Sequence, residues 1–212
     1  MKRFACICMS VLTTLAFAAP APAQLTEGKE YARLKVPQPV ETGKKIEVIE
    51  FFSYGCPHCA DLEPYLDAWL AKLPADVQFR RIPVMFQPRW EPLAKVYYTL
   101  DAMGVEAKLS PEVFKAIHVN NLPLWEDKVF FDWAAGKGLD RAKVADTYNS
   151  FGVNSKFRQA KKAAQELYSI DSVPTVVVDG KFVTLSNQIQ HAALPAAIDA
   201  LVAKARAERP KG

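Results

Sequence analysis

The sequence predicts an α/β fold carrying a helical insertion, and three observations lead there. The apolar run Ile46–Phe52 runs straight into Cys56-Pro57-His58-Cys59 and a helix-like pattern. A second apolar run, Val176-Val177-Val178, follows Val173-Pro174 and leads through Asp179-Gly180 into a further strand at residues 182–185. Between these two blocks, residues 87–167 repeat apolar positions at helical spacing.

At the N-terminus, Lys2-Arg3, an apolar segment and the small-residue site Ala21-Pro22-Ala23 read as a secretory signal peptide over residues 1–23, cleaved before Gln24. Cys6 and Cys8 fall inside it, so two of the four cysteines are discarded and Cys56 and Cys59 remain. The formal charge of +4 includes Lys2 and Arg3 of that leader. The nearly balanced remainder argues against a nucleic-acid partner, which would need a basic stripe. No later apolar run reaches the roughly eighteen residues of a membrane span.

Ile46–Phe52 is rich in β-branched and aromatic residues, which predicts a strand buried on both faces. Ser53-Tyr54-Gly55 turns the chain. Pro57 suits the first turn of a helix, where its missing N–H would be unpaired anyway, and Leu62, Tyr65, Leu66, Trp69, Leu70 and Leu73 follow at helical spacing. Pro64, inside that helix, is expected to kink it. Residues 77–85 form the next apolar strand. In the inserted region Pro92 is expected to open one helix and Ser110-Pro111 a second. Residues 125–135 give another, Asp140 caps a segment bearing Val144, Tyr148 and Phe151, and Asn154 caps one bearing Phe157, Ala160, Ala164 and Leu167. Trp90, Trp125 and Trp133 read as core, and His118 and His191 as residues of ordinary helix surfaces.

The cysteine pair carries the chemistry. As a structural staple it is poor, since closing so short a loop is worth roughly 2 kcal/mol against about 5 for a hundred-residue loop. Zinc would need four ligands, and the three histidines offer no second metal-type spacing; copper(I) finds no Met or His cluster either. A redox pair is the remaining reading. Cys56 at a helix N-terminus meets unpaired N–H groups that favour a thiolate, so it is expected to be the exposed nucleophile, with Cys59 more buried and resolving the mixed disulfide. Glu50, within an apolar strand, must be paired, protonated or wet. Either it is a satisfied ion pair with Arg81, or it serves as a proton acceptor or field element below Cys59.

Strand, Cys-x-x-Cys helix, helical region, Val-Pro strand, hairpin and final helix together resemble the thioredoxin superfamily. The Cys-Pro-His-Cys centre, the preceding Glu-Phe-Phe-Ser and the long insertion are most similar to its DsbA family of periplasmic thiol–disulfide oxidases. The resemblance implies a thioredoxin fold in two parts, residues 24–86 and 168–212, with the helical subdomain at 87–167. It implies that Cys56 and Cys59 are catalytic, with Pro57 and His58 between them supporting the pair. Glu50 corresponds to the family's buried carboxylate, Arg81 to its basic partner and Glu63 to an acidic residue on the active-site helix. Val173-Pro174 corresponds to the cis-proline loop that binds the client peptide.

The implied activity is donation of the Cys56–Cys59 disulfide to reduced, unfolded secreted proteins in the periplasm of a Gram-negative bacterium. Reoxidation would come from a quinone-linked inner-membrane protein resembling DsbB. A monomer is expected, without cofactor or metal. The alternatives are a disulfide isomerase or reductase, or a peptide-binding holdase that uses the fold without turnover. An isomerase of this superfamily would carry an N-terminal dimerisation domain, for which the stretch from Gln24 to Cys56 leaves no room.

Overall fold

The computed structural model describes residues 25–185 and 188–209, so the expected signal peptide lies outside the described residues. A five-stranded sheet forms the centre, in the order β1 (Tyr31–Arg33), β5 (Phe182–Thr184), β4 (Thr175–Val178), β2 (Ile46–Phe52) and β3 (Val77–Pro83). β2 and β3 are parallel, joined across one face by α1 (Pro57–Leu70); β2–β4, β4–β5 and β5–β1 are antiparallel. Every residue of β2 is buried, which is why its run is apolar without alternation. Asp179 and Gly180, at φ 55° and 61°, form the tight β4–β5 turn, whose two central residues both need positive φ.

Two cores sit on the two faces of the sheet. Val48 and Val176 pack with Leu62 and Leu66 of α1 and with Ile198 and Leu201 of α7 (Leu194–Glu208). Burial of each such leucine contributes roughly 1.5–3 kcal/mol. Ile49 and Phe51 face the other way, with Val96, Leu100 and Tyr168 of the helical region.

That region comprises α2 (Trp90–Ala102), α3 (Glu106–His118), α4 (Asp127–Gly136), α5 (Arg141–Asn149) and α6 (Phe151–Lys162), all between β3 and β4. A π-helical turn, Ala163–Leu167, extends α6. Asp140 caps α5 as expected, its side chain accepting from Lys143 N at 2.7 Å.

Several expectations change. β3 ends at Pro83, although Val84 N still donates to Phe52 O at 2.8 Å. α2 opens at Trp90, ahead of Pro92. α3 opens at Glu106, so Ser110 and Pro111 lie inside it; Gly104, at φ 69°, ends the previous helix and lets the chain restart sooner. Ser150, not Asn154, caps α6, its Oγ accepting from Val153 N at 3.2 Å. Phe151, at the first position of α6, is 82% exposed, and Leu167, in the π-helical turn, is exposed as well. Pro64 lies inside α1, as expected. Trp90 is buried, while Trp125 and Trp133 pack half-buried against the core.

Candidate active site

β2 delivers the chain to the end of the sheet, and Ser53 shapes the turn that follows. Gly55 N donates to Ser53 Oγ at 3.1 Å and Cys56 N donates to Ser53 O at 3.0 Å. A side chain at Gly55 would overlap the Trp90 indole, so only glycine lets α2 pack this closely against the turn. Cys56 then occupies the N-cap of α1 in extended conformation (φ −94°, ψ 117°), and Pro57 takes the first helical position.

The two sulfurs have opposite surroundings. The Cys59 thiol, the backbone N–H groups of Cys59 and His58 at the start of the helix, and the His58 charge together outweigh burial and hold the Cys56 thiol down to about 6. Burial pushes the Cys59 thiol well up, reinforced by the Cys56 sulfur and by the Glu50 charge. Both cysteines are reduced in this structure. Cys59 is fully buried as expected. Cys56, expected to be exposed, keeps only 5% of its surface open. The loop before β4 covers it, with Cys56 Sγ 3.6 Å from Val173 O. The Val173-Pro174 bond is cis. His58 is exposed on the rim, its ring centroid 6.0 Å from that of His191 and its Nδ1 4.0 Å from Asp61. His191 belongs to a short 3-10 turn, His191–Ala193, that faces α1, and not to the helix surface expected for it.

Beneath the cysteines lies a buried charged cluster. The parallel register sets Glu50 beside Arg81, and Arg81 Nε donates to Glu50 Oε2 at 2.8 Å. Arg81 Nη2 donates to Glu63 Oε2 of α1 at 2.7 Å, and Nη1 reaches Ser110 Oγ at 3.0 Å and Glu106 Oε1 at 3.4 Å. The rings of Phe52 and Phe79 flank the guanidinium at 5.6 and 5.5 Å.

One cation thus faces three carboxylates. Burial raises Glu50 and lifts Glu63 to about 7, against the pull of Arg81. Arg81 itself stays charged, the field of Glu50, Glu63 and Glu106 overcoming the cost of its burial. Glu50 Oε1 and Glu63 Oε1 are buried with no hydrogen-bonding partner among the described residues. Such atoms are tolerable where a carboxyl retains a proton.

All nine residues singled out from the sequence, Glu50, Cys56, Pro57, His58, Cys59, Glu63, Arg81, Val173 and Pro174, thus fall at or directly beneath one end of the sheet. Four more belong with them. Glu106 and Ser110 complete the Arg81 cluster, and Tyr54 donates its hydroxyl to Glu106 Oε1 at 3.3 Å. His118 is half-buried, and its Nε2 lies 2.8 Å from Tyr54 O, so it is not an ordinary surface residue. Tyr54 lies in the turn just before Cys56, but no spacing in the sequence joins Glu106, Ser110 or His118 to the cysteines or to Arg81. Among the described residues no group of three or more His, Cys, Asp or Glu side chains could hold a metal ion.

A dithiol on a helix N-terminus, facing a Val-Pro loop at the end of a thioredoxin-type sheet, defines a thiol–disulfide exchange protein. A family model described as the DSBA-like thioredoxin domain matches residues 47–193. The thiol:disulfide interchange protein DsbA of Pseudomonas aeruginosa is 41% identical over 182 residues, 86% of each chain. That of Burkholderia cepacia is 39% identical over 184 residues, again 86% of each. The crystal structure of Pseudomonas aeruginosa DsbA superposes with a TM-score of 0.82 at 41% identity, covering 86% of this chain and 95% of that one. The structure of the oxidoreductase DsbA from Xylella fastidiosa gives 0.77 at 30% identity, covering 86% and 98%. The chain belongs to the DsbA family and is a thiol:disulfide oxidoreductase.

Proposed function

We propose that the protein is a periplasmic disulfide donor. A client thiolate attacks Cys56 Sγ of the oxidised pair, the Cys56–Cys59 bond breaks, and Cys59 takes the electron pair and a proton. A second client thiolate then attacks the client sulfur of the mixed disulfide, and Cys56 leaves as a thiolate. Two electrons have passed from the client's two thiols to the pair, and the client holds a disulfide. The observation that carries this reading is the asymmetry of the two sulfurs: Cys56 is stabilised as a thiolate and Cys59 is not. A thiol of lowered pKa leaves faster, and a stabilised reduced form makes its disulfide a stronger oxidant.

Pro57 and His58 support the pair from the helix N-terminus. Glu50, Glu63 and Arg81 set the field and the proton supply beneath Cys59. Val173-Pro174 receives an extended client, whose backbone pairs there as an added strand. On this reading the leader of residues 1–23 directs export, residues 24–86 and 168–212 make the exchange domain, and residues 87–167 form a helical subdomain over it. The protein acts as a monomer, and a DsbB-like quinone reductase in the inner membrane reoxidises it.

The test is the redox equilibrium of Cys56/Cys59 against glutathione, paired with oxidation of a reduced, unfolded client. A potential above about −180 mV with stoichiometric client disulfides is expected. A value near the roughly −270 mV of thioredoxin would favour a reductase. Delayed client aggregation without disulfide formation would favour a holdase.

A further inference from the structure

We propose that His118 is a positioning residue for the reactive pair, acting through the backbone of Tyr54. It rests on Cys56 being the reacting thiol. His118 is the last residue of α3, and its imidazole stacks on Phe114 with centroids 6.2 Å apart and planes at 26°. From there Nε2 donates to Tyr54 O at 2.8 Å. The same helix holds Tyr54 at its other end, where the tyrosine hydroxyl donates to Glu106 Oε1 in the first turn of α3. The Tyr54 ring is 1% exposed and packs edge-to-face on Phe114 and Phe52.

One helix of the insertion therefore grips the residue two positions before Cys56 by its side chain and by its carbonyl. The grip reaches the sulfur through one peptide plane. Tyr54 C=O and Gly55 N–H share that plane, and Gly55 N–H donates to Ser53 Oγ in the turn that also holds Cys56 N. If the carbonyl is freed, the plane can rotate, and Cys56 loses its fixed place relative to the N–H groups of His58 and Cys59. On the other side of the turn Trp90 of α2 closes against Gly55, so the plane is held from two helices of the insertion. The helical insertion is thus part of the device that keeps Cys56 in register with the start of α1.

Two substitutions in the full chain test this. His118→Leu removes the donor at similar volume, and His118→Gln restores one. Thiolate absorbance and the glutathione equilibrium are read for both. In His118→Leu the Cys56 thiolate should be about 3- to 10-fold harder to form, and the pair less oxidising by the same factor, as for the loss of one hydrogen bond. His118→Gln should return both within about twofold. Values for His118→Leu within twofold of wild type, or an equal loss in His118→Gln, would overturn the proposal while leaving the disulfide-donor reading intact. A wild-type pair that is not oxidising would instead overturn that reading. Should His118→Leu not fold, the imidazole nitrogen shifts of the wild-type protein decide. A ring protonated at Nε2 is expected, and a neutral ring protonated only at Nδ1 cannot donate to Tyr54 O and would refute the inference.

Discussion

The start of α1 and the cluster one layer below it treat negative charge in opposite ways. At the helix start the Cys59 thiol, backbone N–H groups and His58 all favour an anion on Cys56. Below, Glu50, Glu63 and Glu106 crowd a single Arg81, and burial drives the carboxyls of Glu50 and Glu63 toward their protonated forms. The fold thus separates the two sulfurs electrically and not just by depth. Cys59 is held as a thiol first by burial and then by the neighbouring Cys56 sulfur, with a smaller push from Glu50.

The largest effect should come from removing the one cation. Arg81→Met leaves buried Glu50 and Glu63 and half-buried Glu106 without their counter-charge, so a loss of about 3–5 kcal/mol is expected in urea unfolding. A loss below 1 kcal/mol would mean that the carboxyls are already neutral. The helix start is sensitive to shape instead. Gly55→Ala sets a methyl against the Trp90 indole, and about 1–3 kcal/mol should be lost as α2 is pushed off the turn. Unchanged stability there would show that the turn moves freely.

The oxidised and reduced forms should also differ in how their stability changes with pH. Cys56 is depressed in the folded state, so its thiolate adds stability above the unfolded thiol's pKa, and that stability is lost as pH falls through about 6. Between pH 6 and 8 the reduced form should gain about 1–2 kcal/mol on the oxidised form, after allowing for solvent screening at the rim. Glu50 and Glu63, raised in the folded state, act with the opposite sign, their stability fading as pH rises through their folded values; both redox forms share this, so it cancels in the difference. Closing the short disulfide loop adds roughly 2 kcal/mol to the oxidised form, which sets the two near parity at pH 7. A difference that does not vary with pH would mean that the fold does not stabilise the Cys56 thiolate. The smallest effect belongs to His58, an exposed side chain whose charge adds least to the thiolate. His58→Ser should make the thiolate less than tenfold harder to form, with little change in stability. A larger shift would promote His58 above the backbone N–H groups.

The sheet and the cysteine helix were legible because each carries its own reason in the chain. Ile46–Phe52 is apolar on both faces, and charged Glu50 and Arg81 in apolar strands have to find each other. β1 was missed because Tyr31–Arg33 is three residues with no alternation to read. Ser110-Pro111 suggested a helix start, yet proline is tolerated inside α3 once Gly104 has already turned the chain. The resemblance sets the Val173-Pro174 loop against the pair, but how completely a loop from far along the chain covers Cys56 is not written in the residues around the cysteine. Glu106 and His118 stayed hidden for the same reason. Each acts on Tyr54 or Arg81 from another element, and sequence patterns report on a residue's own helix or strand.

The most direct measurement is a pH titration of thiolate absorbance in the reduced protein, with Cys59→Ala to assign the steps. One thiol, Cys56, should titrate near 6, and the second should remain protonated well above pH 9. Two thiols titrating together near the ordinary value of about 8.5 would contradict the electrical separation of the pair.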